Sequence, residues 1–179
     1  MRWLRHLFAP SSRRVFPADS LERIGEAIAA GERHHGGQLC FAVESRLSLG
    51  ELLDGRDARA AAHIAFAQLR VWDTAANNGV LLYLLLADHR IEIVADRGYA
   101  TRVGDERWQA VCEGIQQALA AGEAEAAVLG GIAALSEIIA EHFPRDESFG
   151  ESSSGEPSAG EHGGATGEGN ELPDRPVRL

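Results

Sequence analysis

The chain has 179 residues and a mass of 19.2 kDa, 45% of them hydrophobic, enough for one ordinary domain and too little for two sizeable ones. Its 17 basic and 27 acidic residues give a formal charge of -10 and a pI near 5.1, which excludes a nucleic-acid backbone as the main partner. Every basic residue is Arg, so lysine Schiff bases and the P-loop lysine are excluded too.

Cys40 and Cys112 are too few for a disulfide framework and lack metal-ligand spacing, which makes a reducing compartment the expectation. The longest apolar run, residues 80–87, has eight residues, against about 20 for a membrane-spanning helix. Residues 1–8 carry no apolar stretch of the length a secretory signal needs. The expected location is the cytoplasm, with peripheral contact to the inner face of the membrane as the closest approach to lipid.

Residues 1–18 hold Arg2, Arg5, Arg13 and Arg14 and no acid, a local charge of +4. With Trp3, Leu4, Leu7 and Phe8, the basic segment 1–15 either docks on the domain or lies as a short amphipathic stretch on an anionic membrane. Asp19 followed by Glu22 reads as a capping box for a helix over about 20–33, with Leu21, Ile24 and Ile28 on one face and Gly36 and Gly37 ending it. Residues 38–44 have the length and residue types of a buried strand, and a polar loop follows.

Asp57 caps an Ala-rich helix to about 69, and the turn-rich stretch 73–79 leads into a strand over 80–87 that is apolar on both faces and therefore central. Asp88, His89 and Arg90 read as a tight turn into an antiparallel strand over 91–95. Helices are predicted over about 105–121 and 123–142, separated by Gly122 as a C-terminal cap. The order implies a three-layer α/β/α sandwich, a small mixed sheet covered by helices on both faces. The tail 145–179, with eight acids, three Arg and much Gly and Ser, reads as disordered, and its last residues regain enough apolar character to dock on the domain or on a partner.

A right-handed crossover between the first two strands makes them parallel and gathers three loops at one sheet edge: residues 34–37, 73–79 and 96–98. Asp73, Thr74, Asn77, Asn78 and Asp96 there offer the oxygens that calcium or magnesium prefers, although the same residue types also form ordinary turns. Asp88, at the opposite edge, reads as a turn residue. His34 and His35 suit a metal or general-base role, or a surface pair at a helix end. Arg70, Arg90 and Arg97 are candidate anion contacts. Gly-x-Ser-x-Gly, P-loop, His-Glu-x-x-His and Gly-x-Gly-x-x-Gly stretches are absent, and no nucleotide or organic cofactor is expected.

The stretch 66–98, and above all Asn77-Asn78-Gly79-Val80-Leu81, Ala87-Asp88-His89-Arg90 and Ile91-Glu92-Ile93-Val94, resembles the TPM domain family of thylakoid lumen, photosystem repair and bacterial membrane-associated proteins. The resemblance covers about residues 16–144 and implies an α/β/α sandwich. It also implies a divalent-cation site, carried over by motif to Asp73, Asn77, Asn78 and Asp96, and for plant relatives an acid phosphatase activity. Where many relatives read Gly-Leu-Glu, this chain has Gly98-Tyr99-Ala100 and lacks that carboxylate.

Two functions are therefore expected. One is a non-catalytic accessory module for a membrane-associated complex, with an unidentified protein partner. The other is a calcium- or magnesium-dependent phosphomonoesterase in which Arg97 contacts the phosphate.

Overall fold

The computed structural model describes residues 2–145, 172 and 176–179. Three short elements open and punctuate the chain: α1 (Arg2–Leu7), α2 (Ser12–Val15) and, further on, α4 (Leu49–Leu53). The longer elements are α3 (Ala18–Glu32), β1 (Gln38–Glu44), α5 (Ala58–Gln68), β2 (Gly79–Leu85), β3 (Arg90–Ala95), α6 (Asp105–Ala120) and α7 (Ala124–His142). The last element is β4 (Val177–Arg178).

The sheet runs β3-β2-β1-β4, with β1 parallel to β2 and β4 and β2 antiparallel to β3. Successive residues of a strand face opposite sides, and the two sides bury different partners. Leu39, Phe41, Val43, Val80, Leu82, Leu84 and Ile93 pack beneath α3, α6 and α7, against Ile24, Ile28, Ile115, Ile132, Leu135 and Ile139. Cys40, Ala42, Leu81, Tyr83, Leu85 and Val94 meet the small face of α5, formed by Ala58, Ala61, Ala62 and Ala65. The predicted sandwich with its parallel and antiparallel pairs is the observed one.

Local differences have identifiable causes. The Asp19 capping box does not form, because Pro17 sets the start of α3 at Ala18, and Asp19 pairs instead with Arg23 one turn on. The reciprocal box sits in the stretch read as a polar loop, where Ser48 and Glu51 cap α4. β2 ends at Leu85, and residues 86–88 turn as a 3-10 helix into His89, whose φ of 51° is left-handed.

The expectation of a disordered tail falls mostly outside the described residues, at 146–171 and 173–175. At 177–178 the chain is an edge strand: Leu179 N–H donates to Val43 O at 3.1 Å and Arg178 Nη2 to Phe16 O at 2.6 Å. Leu172 is buried, and its N–H donates to Gln38 Oε1 at 3.1 Å.

The N-terminal segment docks on the domain. Arg2 Nε and Nη2 donate to Asp88 Oδ2 at 2.9 and 2.6 Å, and Arg2 Nη1 donates to Arg56 O at 2.6 Å. Leu47 N–H donates to His6 Nδ1 at 3.0 Å, so the imidazole proton sits on Nε2 and is donated to Asp88 Oδ1 at 3.1 Å. Asp88 is thus more than a turn residue: it is the anchor of α1.

Candidate functional site

The three loops expected at one sheet edge do converge where β1 and β2 begin and β3 ends. Asn78 Nδ2 donates to Gly36 O at 2.7 Å, joining the first loop to the second. Gly98 N–H donates to Asn77 O at 3.0 Å, joining the second to the third. The fit is close: a Cβ on Gly98 would lie 2.4 Å from Asn77 O, and one on Gly79 would lie 1.9 Å from Val71 O.

Each proposed ligand can be placed. Asp73 is exposed and forms an ion pair with Arg70, which itself adopts a left-handed φ of 55°. Thr74 is buried, and its Oγ1 accepts from Asn78 N–H at 3.0 Å. Asn77 closes the turn begun at Thr74 with a φ of 53°, a conformation asparagine tolerates, and its Oδ1 accepts from Arg97 Nε at 2.7 Å. Asn78 is buried as a strut, its carbonyl accepting from Gln38 N–H at 3.2 Å and Tyr99 Oη at 3.0 Å.

Asp96 caps a 3-10 turn through Oδ1, which accepts from Arg97 N–H at 2.7 Å, while its Oδ2 is buried without a hydrogen-bond partner. Among the described residues, no group of three or more His, Cys, Asp or Glu side chains is placed to hold a metal ion.

His34 and His35 are not the surface pair weighed from the sequence. His34 is exposed, whereas His35 is buried, its Nδ1 donating to Gly37 O at 3.1 Å and its Nε2 left without a partner. Burial lowers the imidazole pKa from its usual value. Arg90 lies at the far end of β3 from Arg97, so the three arginines do not form one anion site.

The thiols are inert near neutral pH, since burial pushes Cys40 up to about 12 and Cys112 up to about 11.

The fourth contributor, the end of α7, was missed from the sequence. Phe143 O accepts from Gly36 N–H at 2.7 Å, and the Phe143 ring meets Tyr99 edge-on at 4.9 Å. Arg102 lies over that ring at 5.0 Å and donates to His142 O at 3.0 Å, and Arg145 donates to Glu32 O at 2.7 Å. These contacts join residues more than a hundred positions apart or from separate elements, and only the Tyr99 and Phe143 aromatic identities hint at them.

A mixed sheet with helices on both faces, and a polar loop cluster at the edge where two parallel strands begin, defines an α/β sandwich. The TPM domain model, which carries the label TPM phosphatase, matches residues 11–138, and the chain belongs to the TPM domain family.

Among solved structures, the chain is similar to the BA42 protein of the psychrophilic bacterium Bizionia argentinensis. That likeness has 21% identity and a TM-score of 0.70, over 92% of this chain and 95% of that one. It is also similar to the N-terminal domain of a P. gingivalis protein, at 15% identity and a TM-score of 0.56, over 70% of this chain and 78% of that one. At these identities the likeness establishes the fold. Among curated proteins no relative matches.

Proposed function

We propose that the chain is a non-catalytic interaction module, an accessory to a membrane-associated complex at the cytoplasmic face, whose loop cluster is a preformed contact surface. The observation that carries this reading is the Arg97 guanidinium, which donates to Asn77 Oδ1 at 2.7 Å. A positive charge of the protein's own thereby occupies an oxygen that calcium or magnesium would need, and Arg70 does the same at Asp73. A calcium ion takes six to eight oxygens, and at Asn77 and Asp73 it would compete with these arginines for them. The residues present fit a cluster already supplied with positive charge. Neither thiol lies in the cluster, since Cys40 is in β1 and Cys112 in α6, and burial raises both of their pKa values.

A second reading, a divalent-cation-dependent phosphomonoesterase, is favoured by one observation: the buried, unpartnered Asp96 Oδ2. On that reading Asp73, Asn77, Asn78 and Asp96 would hold the cation and Arg97 would contact the phosphate. The deciding assay is hydrolysis of p-nitrophenyl phosphate by the full chain, with added magnesium or calcium, across acid to neutral pH. The module reading expects the rate of the protein-free blank for wild type, Asp73→Ala and Asp96→Asn alike. Metal-dependent turnover by the wild type that both variants abolish would overturn it.

A further inference from the structure

α1 is amphipathic in the wrong sense for a helix that docks through its apolar face. Arg2 and His6, one turn apart, point inward to Asp88, and His6 is only 2% exposed. Trp3 and Leu7, also one turn apart, point outward and are 53% and 57% exposed, with Phe8 at 78%. α4 continues the surface: Leu49 and Leu53 are 67% and 79% exposed. A cleft of about 740 Å³ between the two helices is lined by Trp3, Leu7, Leu49 and Leu52 among others. The inward tether leaves six large apolar side chains, Leu4 included, in water, and an exposed apolar patch of this kind marks an interaction surface.

Charge identifies the occupant. Arg46 lines the cleft, Arg5 on α1 borders a hollow that also holds Asp57, Asp88 and Glu92, and Arg13 and Arg14 lie on α2; all four are exposed and hold no ion pair among the described residues, and α2 is fixed beside Arg46 by Ser12 N–H donating to Ser45 Oγ at 2.8 Å. Of the acids nearby, Asp88 is engaged by Arg2 and His6, Glu51 by Arg56 and Ser48, and Glu44 by the Tyr83 hydroxyl, while Asp54 and Asp57 stay exposed.

A chain of net charge -10 therefore gathers uncommitted arginines around one protruding apolar tip. Apolar side chains this exposed suit insertion into a fluid interface, with the arginines reaching anionic headgroups. We propose that α1 and α4 form a docking surface for an anionic phospholipid bilayer, with Trp3, Leu7, Phe8, Leu49 and Leu53 inserting at the headgroup boundary. The surface stands independently of the loop cluster, which lies at the opposite end of the sheet.

The test is flotation of the full chain with vesicles of phosphatidylcholine alone and of phosphatidylcholine with phosphatidylglycerol. The protein should float with the anionic vesicles and not with the neutral ones, and less so as salt is raised. Trp3→Ser, Leu7→Ser and Phe8→Ser together should lower partitioning at least about tenfold, with the far-UV circular dichroism spectrum unchanged because these residues lie outside the core. Arg5→Ala and Arg13→Ala should each lower it about fivefold. Absence of flotation, equal binding to neutral vesicles, or indifference to both variant sets would overturn the proposal. So would sedimentation of the wild type as a dimer that the apolar variant dissolves, which would give the surface to a second copy. Because the vesicles contain no protein partner, failure here leaves the reading of the loop cluster standing.

Discussion

Replacing Asp88 with Ala removes the anchor of the first helix. Three hydrogen bonds end on this carboxylate, two from Arg2 and one from the buried His6. Arg2 is about one-third exposed at 35% and recovers water, so its share is discounted to about 1 kcal/mol. The His6 side chain is 2% exposed, and leaving its Nε2 proton unsatisfied costs about 1–3 kcal/mol. The sum is about 2–4 kcal/mol for Asp88→Ala. Asp88→Asn retains an acceptor for His6 and should cost about 1 kcal/mol, the part due to charge.

Urea unfolding of both variants gives the ordering, and amide hydrogen exchange at residues 3–8 locates it. Burial by itself pushes the Asp88 carboxyl up, but the hydrogen bonds from Arg2 and His6 outweigh it and hold the group below its ordinary value. Its contribution is therefore complete above the ordinary carboxylate pKa of about 4 and is lost as pH falls through the lower folded value. That loss should be missing from Asp88→Asn. Equal costs for Ala and Asn, or unchanged exchange at residues 3–8 in Asp88→Ala, would refute the anchoring argument.

Three further outcomes are expected. In α7, a Cβ at Gly130 meets nothing within 4 Å, whereas one at Gly131 would lie 2.4 Å from Ile115 Cδ1. Gly130→Ala should stabilise by about 0.5–1 kcal/mol and Gly131→Ala destabilise by about 1–3 kcal/mol, read as thermal midpoints moving in opposite directions. Burial lowers the His35 pKa, so the unfolded chain binds the proton first. Stability should fall as pH drops below about 6.5, by at most about 1.4 kcal/mol per pH unit, and His35→Gln should flatten that part of the urea-midpoint profile. Truncation after Arg145 removes β4 and the buried Leu172, baring the β1 edge. The shortened chain should unfold at lower urea and self-associate in sedimentation, and an unchanged monomer would contradict the assignment.

How much of this was legible in the sequence follows from which interactions are local. Residues 38–44 carry their strand in the apolar run from Leu39 to Val43, and the observed β1 spans Gln38–Glu44. Val128, Ile132, Leu135 and Ile139 repeat at helical spacing, and all four are buried. The convergence of Asn77, Asn78, Asp96 and Arg97 is also legible, because a parallel crossover followed by an antiparallel hairpin brings their loops to one edge.

What each side chain is spent on is not. Asp88 meets Arg2 across 86 positions, and Phe143 O meets Gly36 across the whole core, contacts that no period or spacing encodes. β4 is two residues beyond a stretch of Gly, Ser and Glu, too short to register as a strand. At Asp19, Pro17 overrides the cap motif, while Ser48 and Glu51 form the same motif ahead of a helix with only five residues.

The central claim is that Arg97 and Arg70 already supply the positive charge at Asn77 and Asp73 in the loop cluster. It is tested most directly by following amide chemical shifts of the full chain while calcium and then magnesium are added, with Asp73→Ala as control. No saturable shift is expected at residues 73–79 and 96–98 up to millimolar cation, the range of weak extracellular calcium modules. A saturable shift confined to those residues and lost in Asp73→Ala would contradict it, establishing a cation site and giving the phosphomonoesterase reading its ground.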